Sequence, residues 1–229
     1  KTSQDVTSLT IFSNNTEITS IDELKKFKNV TTCPRFYGCT NLVSIDCSNI
    51  TEFNHECLRE CNNLTTLKNL GKFTLTGSAQ FINCYNLQLD KDVFKNFTNI
   101  PWNLCANNYV ITDMDLQNAT TIGGGAFSNC NKLKNINIIN CEYIGTFAFN
   151  RTLIEKLELN KILTIENRAF ETCNNLKTII IRQSNSVPSL DWGNKFNYAT
   201  IYVPDLLVEE YKVASNWSAF ANNIKPLSE

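Results

Sequence analysis

Phe127-Ser-Asn-Cys130-Asn-Lys-Leu133-Lys-Asn-Ile136 decides the architecture, because the phrase returns as Phe170-Glu-Thr-Cys173-Asn-Asn-Leu176-Lys-Thr-Ile179 and as Phe36-Tyr-Gly-Cys39-Thr-Asn-Leu42-Val-Ser-Ile45. Leu58-Arg-Glu-Cys61-Asn-Asn-Leu64-Thr-Thr-Leu67 keeps the frame throughout, and Phe81-Ile-Asn-Cys84-Tyr-Asn-Leu87 keeps it as far as the strand. Weaker copies begin at Trp102, with Cys105, and at Phe149, where Thr152 replaces the cysteine and one residue is missing. The lead positions 36, 58, 81, 102, 127, 149 and 170 differ by 22, 23, 21, 25, 22 and 21. A fixed period of this length is the signature of a solenoid.

One such unit forms a coil whose apolar face cannot be buried alone, so neighbouring coils must stack into a continuous core. Leu133 to Ile138 and Leu176 to Ile181 alternate as short strands with one buried face. Stacked in register they make a parallel sheet with coils about 4.8 Å apart. Asn recurs between these runs, at Asn62, Asn63, Asn129, Asn131, Asn174 and Asn175, because its side chain caps free backbone groups and tolerates left-handed turns. The two ends of a stack need covers. Ser20-x-x-Glu23 ahead of Leu24 and Phe27 reads as a capping box on a short helix. Pro204-Asp205 can start a second helix with Leu207, Val208, Tyr211 and Ala214 on one face. Glu209 and Glu210 with the single Lys212 give that helix no basic face for a membrane surface.

With these motifs in view the chain resembles the BspA-like leucine-rich repeats, also called the Treponema pallidum type. The resemblance rests on Ile-Gly-x-x-Ala-Phe-x-x-Cys-x-x-Leu-x-x-Ile, matched from Ile122-Gly-Gly-Gly-Ala-Phe127 onward and by Ile144-Gly-Thr-Phe-Ala-Phe149, while Ile165-Glu-Asn-Arg-Ala-Phe170 keeps the frame without the glycine. It covers about residue 15 to the end: Glu17 to Phe27 looks like the family's lead-in, and Ile201-Tyr-Val-Pro204 with Tyr211 and Asn216-Trp217 looks like its closing segment. Departures gather between Thr74 and Thr112, where the strand after Leu87 is irregular. The resemblance implies an α/β fold: a right-handed leucine-rich-repeat solenoid with short parallel strands, an irregular or short-helical convex side and capped ends. The expected organisation is one domain over 1–229, with a lead-in cap at 1–30, repeats at 31–182 and a C-terminal strand and helical cap at 183–229. The family occurs in host-associated bacteria and protists and is implicated in adhesion, so the resemblance also implies a non-enzymatic, extracellular or cell-surface module whose partner is protein or glycan.

Composition fits that expectation. A 229-residue chain, 42% hydrophobic and with net charge −1, can bury a sizeable core and carries no electrostatic footprint for nucleic acid. No apolar run reaches the length of a membrane span, and the opening Lys1-Thr-Ser-Gln-Asp5 shows no signal-peptide core.

Ten cysteines invite a disulfide or zinc reading, and the repeat register argues against both. Cys39, Cys61, Cys84, Cys105, Cys130 and Cys173 share one motif position and are expected to fill the interior as small apolar groups. Cys57 sits where other copies have Ala126, Ala148 and Ala169, and Cys47 where another has Ile138. The register constrains Cys33 and Cys141 less and leaves a bridge involving Cys33 open. His55, Cys57 and Cys61 are zinc-ligand types, but no Cys-x-x-Cys knuckle accompanies them. A Cys–His nucleophile would need the lone His55, at a turn where a solvated histidine is the simpler reading. Gly123-Gly124-Gly125 lacks the following Lys-Ser or Lys-Thr of a phosphate loop and reads as a turn. Asp113 and Asp115 flank Met114 in a strand, on the same outer face and about 7 Å apart, a pairing that many solvated strands carry without glycosidase chemistry. No catalytic, cofactor or metal site is expected. Asn-x-Ser/Thr sites at Asn14, Asn29, Asn49, Asn63, Asn96, Asn118, Asn150 and Asn216 carry meaning only in a glycosylating host.

What remains is surface. The strand residues expected to face outward are Ser44 and Asp46, Thr66 and Lys68, Asp113 and Asp115, Asn135 and Asn137, Lys156 and Glu158, and Thr178 and Ile180. This ladder is the candidate ligand face, since stacked repeats present rigid, extended surfaces. It is polar and lacks Trp, Tyr and Arg anchors, which equally suits a spacer that displays another part of a larger surface protein and binds nothing itself.

Overall fold

The strand alternation around Ile136 and Ile179 becomes, in the computed structural model, one of two columns of short parallel strands; residues 7–9, 12–183 and 185–229 are described. The opening Lys1–Asp5 and parts of the two terminal segments, residues 6, 10, 11 and 184, lie outside them. The first column runs through Ser20–Ile21, Ser44–Asp46 and Thr66–Lys68, then Asp113–Asp115 and Asn135–Asn137, then Lys156–Leu159, Thr178–Ile181, Thr200–Val203 and Ile224–Pro226. Its register pairs Leu157 with Ile179 and Ile179 with Ile201, so the apolar position of each coil lies over the next. This is the solenoid expected from the period, with the leucine-rich-repeat architecture that the resemblance implies.

The second column escaped the sequence reading. It consists of two-residue strands, Glu52–Phe53 beside Thr74–Leu75, and a five-stranded run of Asn99–Ile100, Thr121–Ile122, Tyr143–Ile144, Thr164–Ile165 and Ser189–Leu190. The Ile of the Ile-Gly motif is its inward residue: Ile100, Ile122, Ile144 and Ile165 are all buried. Two residues are too few to show an alternation.

Between the second column and the next first-column strand the chain runs through turns; among the described residues its helices lie near the ends, not on this side. Each coil here contains two residues of positive φ. One set is Glu56, Ala79, Asn103, Gly125, Phe147, Arg168 and Gly193; the other is Gly38, Glu60, Asn83, Asn107, Asn129, Arg151 and Thr172. Asn and Gly adopt this conformation with little strain, which accounts for Asn83, Asn103, Asn107 and Asn129, while Asn62, Asn63, Asn131, Asn174 and Asn175 lie outside the left-handed positions. Phe147, Arg168 and Thr172 adopt the conformation against their preference, and the first two are held there by N–H bonds to Asn167 O and Trp192 O of the following coil.

Backbone bonds between coils establish the repeat frame and correct one part of it. Phe36, Phe81, Phe127 and Phe149 donate their N–H groups to Cys57, Leu104, Ala126-equivalent Ala148, and Ala169 of the following coil. By the same pattern Cys105 donates to Ala126 at 2.8 Å, so Cys105 takes the lead position and Asn108 the cysteine position. Trp102 therefore does not lead its repeat. It falls three residues earlier, on the turn side, and is 56% exposed. The extra residues of this coil are absorbed before the lead rather than after it.

Lead residues stack through the interior. Phe127 and Phe149 are parallel with ring centres 5.7 Å apart, Phe149 and Phe170 lie at 5.4 Å, and the row continues through Phe196 to Trp217 of the closing segment. There a short helix, Val208–Val213, follows a 3-10 turn and buries Tyr211 and Leu207, as the apolar spacing requires. At the other end Asp22–Lys26 forms a 3-10 helix that buries Leu24. The capping box is not made: Ser20 is drawn into the sheet opposite Ser44, and the helix has no side-chain cap.

Two breaks interrupt the first column among the described residues. One falls between Lys68 and Asp113, in the irregular region; the other separates Asn135–Asn137 from Lys156–Leu159, where the turn from Phe149 to Ile154 is one residue shorter than that from Phe127 to Leu133. Elsewhere glycine permits close approach. A Cβ on Gly145 would lie 2.6 Å from Gly124 N, whereas one on Gly71 would meet nothing within 4 Å.

Leu133→Ala is expected to cost about 2 to 5 kcal/mol in urea denaturation, since Leu133 is fully buried. Gly145→Ala should cost about 1 to 3 kcal/mol through overpacking, with Gly71→Ala nearly neutral in the same assay.

Candidate functional site

The thiols are structural. All ten cysteines are buried and free, which leaves Cys33 unbridged beside Cys57. They do more than fill space. Cys61 Sγ donates to Phe36 O at 3.1 Å, Cys84 to Leu58 O at 3.0 Å, Cys130 to Cys105 O at 3.2 Å and Cys173 to Phe149 O at 3.0 Å. Each thiol thus satisfies the lead carbonyl of the coil before it, a role invisible in sequence. Asn108 does comparable work with its amide, donating to Cys84 O and Leu87 O. Burial pushes Cys47, Cys130 and Cys141 up to about 12 and also raises Cys84 and Cys105 well above the ordinary thiol value, so reactive thiolates are suppressed.

The other chemical candidates are also dispersed. His55 is exposed, and its Nδ1 accepts from Ser78 N–H at 3.3 Å. No cluster of three metal-ligating side chains forms among the described residues. Asp113 accepts from Asn135 Nδ2 at 2.6 Å and from Thr112 Oγ1 at 2.5 Å, and Asp115 accepts from Asn137 Nδ2 at 2.9 Å and pairs with Lys95 at 3.1 Å. The Thr112 and Asn135 bonds hold the Asp113 carboxyl below its usual range. These two carboxylates join coils.

The expected ladder is only partly open. Thr66, Asn135, Asn137 and Lys156 are exposed, and Lys68, Asp113, Asp115, Glu158, Thr178 and Ile180 are half-buried. Ser44 and Asp46 are buried, at 8% and 4% exposure, contrary to an outward reading. Asp46 accepts from Ser48 and, at 3.2 Å, from Asn69, and the Asp22–Lys26 helix packs on this strand. Ion pairs join Lys68 to Asp22 at 2.9 Å and Lys156 to Glu158 at 2.5 Å. Where the column breaks, Asn135, Asn137, Lys156 and Glu158 border a cleft of about 270 Å³.

Aromatic anchors lie elsewhere. Trp102, Phe147, Arg168 and Trp192 sit along the turn side, with the Arg168 guanidinium 4.3 Å from the Trp192 ring centre and 5.7 Å from that of Phe147. The sequence signal was available in the motif's weakest copy, where a tryptophan at the lead should have prompted a shift of frame.

With this geometry established, the comparisons are consistent. The family described as BspA type leucine rich repeat region matches residues 6–111 and 98–212, in six copies. The chain belongs to that family. Among solved structures, a leucine rich cell surface protein from Faecalibacterium prausnitzii is similar with a TM-score of 0.43 and 23% identity over 70% of this chain. A leucine-rich repeat protein from Bacteroides ovatus is similar with a TM-score of 0.47 and 14% identity over 77%. The chain spans 38% and 61% of the lengths of those two proteins. No curated protein matches it. Among the described residues no helix is long and apolar enough to cross a membrane.

Two measurements check the thiols. Native protein should react with few thiol reagents' equivalents and denatured protein with close to ten. Because the native thiols are raised, they keep their protons where the unfolded chain, ionising from an ordinary value of 9.0, releases them. Their contribution is complete below that value and is lost as pH climbs toward about 12, so the urea midpoint followed by circular dichroism should fall across this alkaline window.

Proposed function

We propose that this chain is a non-enzymatic binding module, displayed outside the cell, that contacts protein or glycan through the first strand column. The observation that carries the reading is the rigidity of that face. Asp113–Asn135 and Asp115–Asn137 bonds hold its polar groups in position before any ligand arrives, so little ordering entropy opposes binding. The cleft beside Lys156 and Glu158 adds a concave, mixed-charge recess to an otherwise flat ladder. Family membership supports a repeat surface as the working part, and the dispersed His55, Asp113 and Asp115 support the absence of catalysis.

A second reading is favoured by the same bonds. Lys68, Lys156, Asp113 and Asp115 already have partners within the solenoid, as a spacer without a ligand would require. Screening the purified chain against arrayed matrix proteins and glycans, beside a variant carrying Lys68→Glu and Lys156→Glu, separates the two. Binding through this face predicts a saturable signal that the variant lowers by about tenfold, a change of roughly 1.4 kcal/mol. Silence across the array would leave the spacer.

A further inference from the structure

The turn side contains a built hollow that neither the sequence reading nor the family match assigns. It measures about 320 Å³, and Trp102, Phe147, Gly124 and Gly125 are among the residues that line it. The six-membered ring of Trp102 lies against Gly124: a Cβ there would meet ring carbons at 2.7 and 2.9 Å. Gly125 is covered in the same way by Asn103, whose Oδ1 would lie 2.1 Å from an added Cβ. The three successive glycines are thus what lets an indole and an amide settle on the backbone. Trp102 nevertheless remains 56% exposed.

Polar groups around the hollow are fixed and neutral. Asn129 Nδ2 donates to Asn107 Oδ1 at 2.8 Å, and Asn107 Nδ2 donates to Asn83 Oδ1 at 2.7 Å, so successive coils form a row of amides. Each amide nitrogen carries two N–H groups, and the row uses one, leaving the second to point elsewhere. Ser128 adds a hydroxyl, the Thr146 hydroxyl is already committed to Glu166 Oε2 at 2.8 Å, and every side chain lining the hollow is itself uncharged. The volume is at the small end of ligand sites, which run from about 300 to 1,000 Å³.

We propose that this hollow binds the pyranose ring of a neutral glycan, stacked on Trp102 and hydrogen-bonded by the Asn107–Asn129 amide row. A sugar ring presents an apolar C–H face and a rim of hydroxyls, and the site pairs an aromatic plane with amides that can both donate to and accept from that rim. Absence of charge in the lining disfavours anionic sugars and phosphates. A protein side chain would also stack on Trp102, but it would leave the amide row largely unanswered. The site is built from turn residues and shares none with the strand ladder, so it stands or falls independently of the function proposed above.

The test is a titration of the whole chain with soluble cello-, manno- and chito-oligosaccharides, followed by intrinsic fluorescence and calorimetry. Of three tryptophans, Trp217 is buried, which leaves Trp102 and Trp192 to report. The expected result is saturable binding of at least one series, weakened about tenfold or more by Trp102→Ala and largely retained by Trp102→Phe. Trp192→Ala, which removes an equally exposed indole outside the hollow, should leave it unchanged, as should Lys68→Glu with Lys156→Glu. The proposal is overturned if no series binds at millimolar concentration, if Trp102→Ala binds as well as the parent, or if the substitution affects capture of proteins alone. A circular dichroism spectrum identical to the parent's establishes that each variant is folded.

Discussion

Coil-to-coil backbone pairing is the constraint from which the rest follows. Each coil donates N–H groups to the next at both left-handed turn positions, as in Gly125 to Thr146 and Asn129 to Asn150, and to the one before it at the second strand column, as in Gly123 to Ile100. These bonds are short and recur at fixed spacing, so a side chain in one coil lies beside its counterpart in the next. Apolar burial then comes in columns, Phe127 on Phe149 on Phe170 and Ile122 on Ile144 on Ile165. No coil has a complete core of its own, and the stability of each depends on its neighbours.

The same pairing explains residues that look unsuited to their positions. A buried cysteine is tolerated at the motif sites of Cys61, Cys84, Cys130 and Cys173 because the lead carbonyl of the preceding coil accepts its thiol. Phe147 and Arg168 hold left-handed backbone because their N–H groups are committed to Asn167 O and Trp192 O of the adjacent coil. Where the pairing cannot be kept, the surface opens: the short turn after Phe149 separates two strands and leaves the cleft at Lys156, while the long coil before Cys105 displaces Trp102 outward.

Much of this was legible. The period, the inward Leu and Ile positions, the burial of the cysteines and the closing helix all follow from spacing, because a residue type repeated at one place in every coil must share one environment. The candidate surface was less legible. Ser44 and Asp46 read as outward on strand alternation, yet the N-terminal helix packs over that end and Asp46 is consumed by Ser48 and Asn69. Alternation reports which face a residue takes, not whether another segment covers that face.

Sequence by itself determined the stacked architecture, since a twenty-odd-residue apolar period has no other way to bury its faces. Tertiary structure alone decided the frame inside the irregular coil. Between Cys84 and Phe127 the chain has residues to spare, and the motif can be aligned with Trp102 or with Cys105 at the lead. The bonds from Cys105 N to Ala126 O and from Phe81 N to Leu104 O select the second alignment. An insertion can be absorbed anywhere along a flexible turn, and its place is chosen by which alignment lets the neighbouring coils keep their hydrogen bonds. That choice put a cysteine in the core and an indole on the surface.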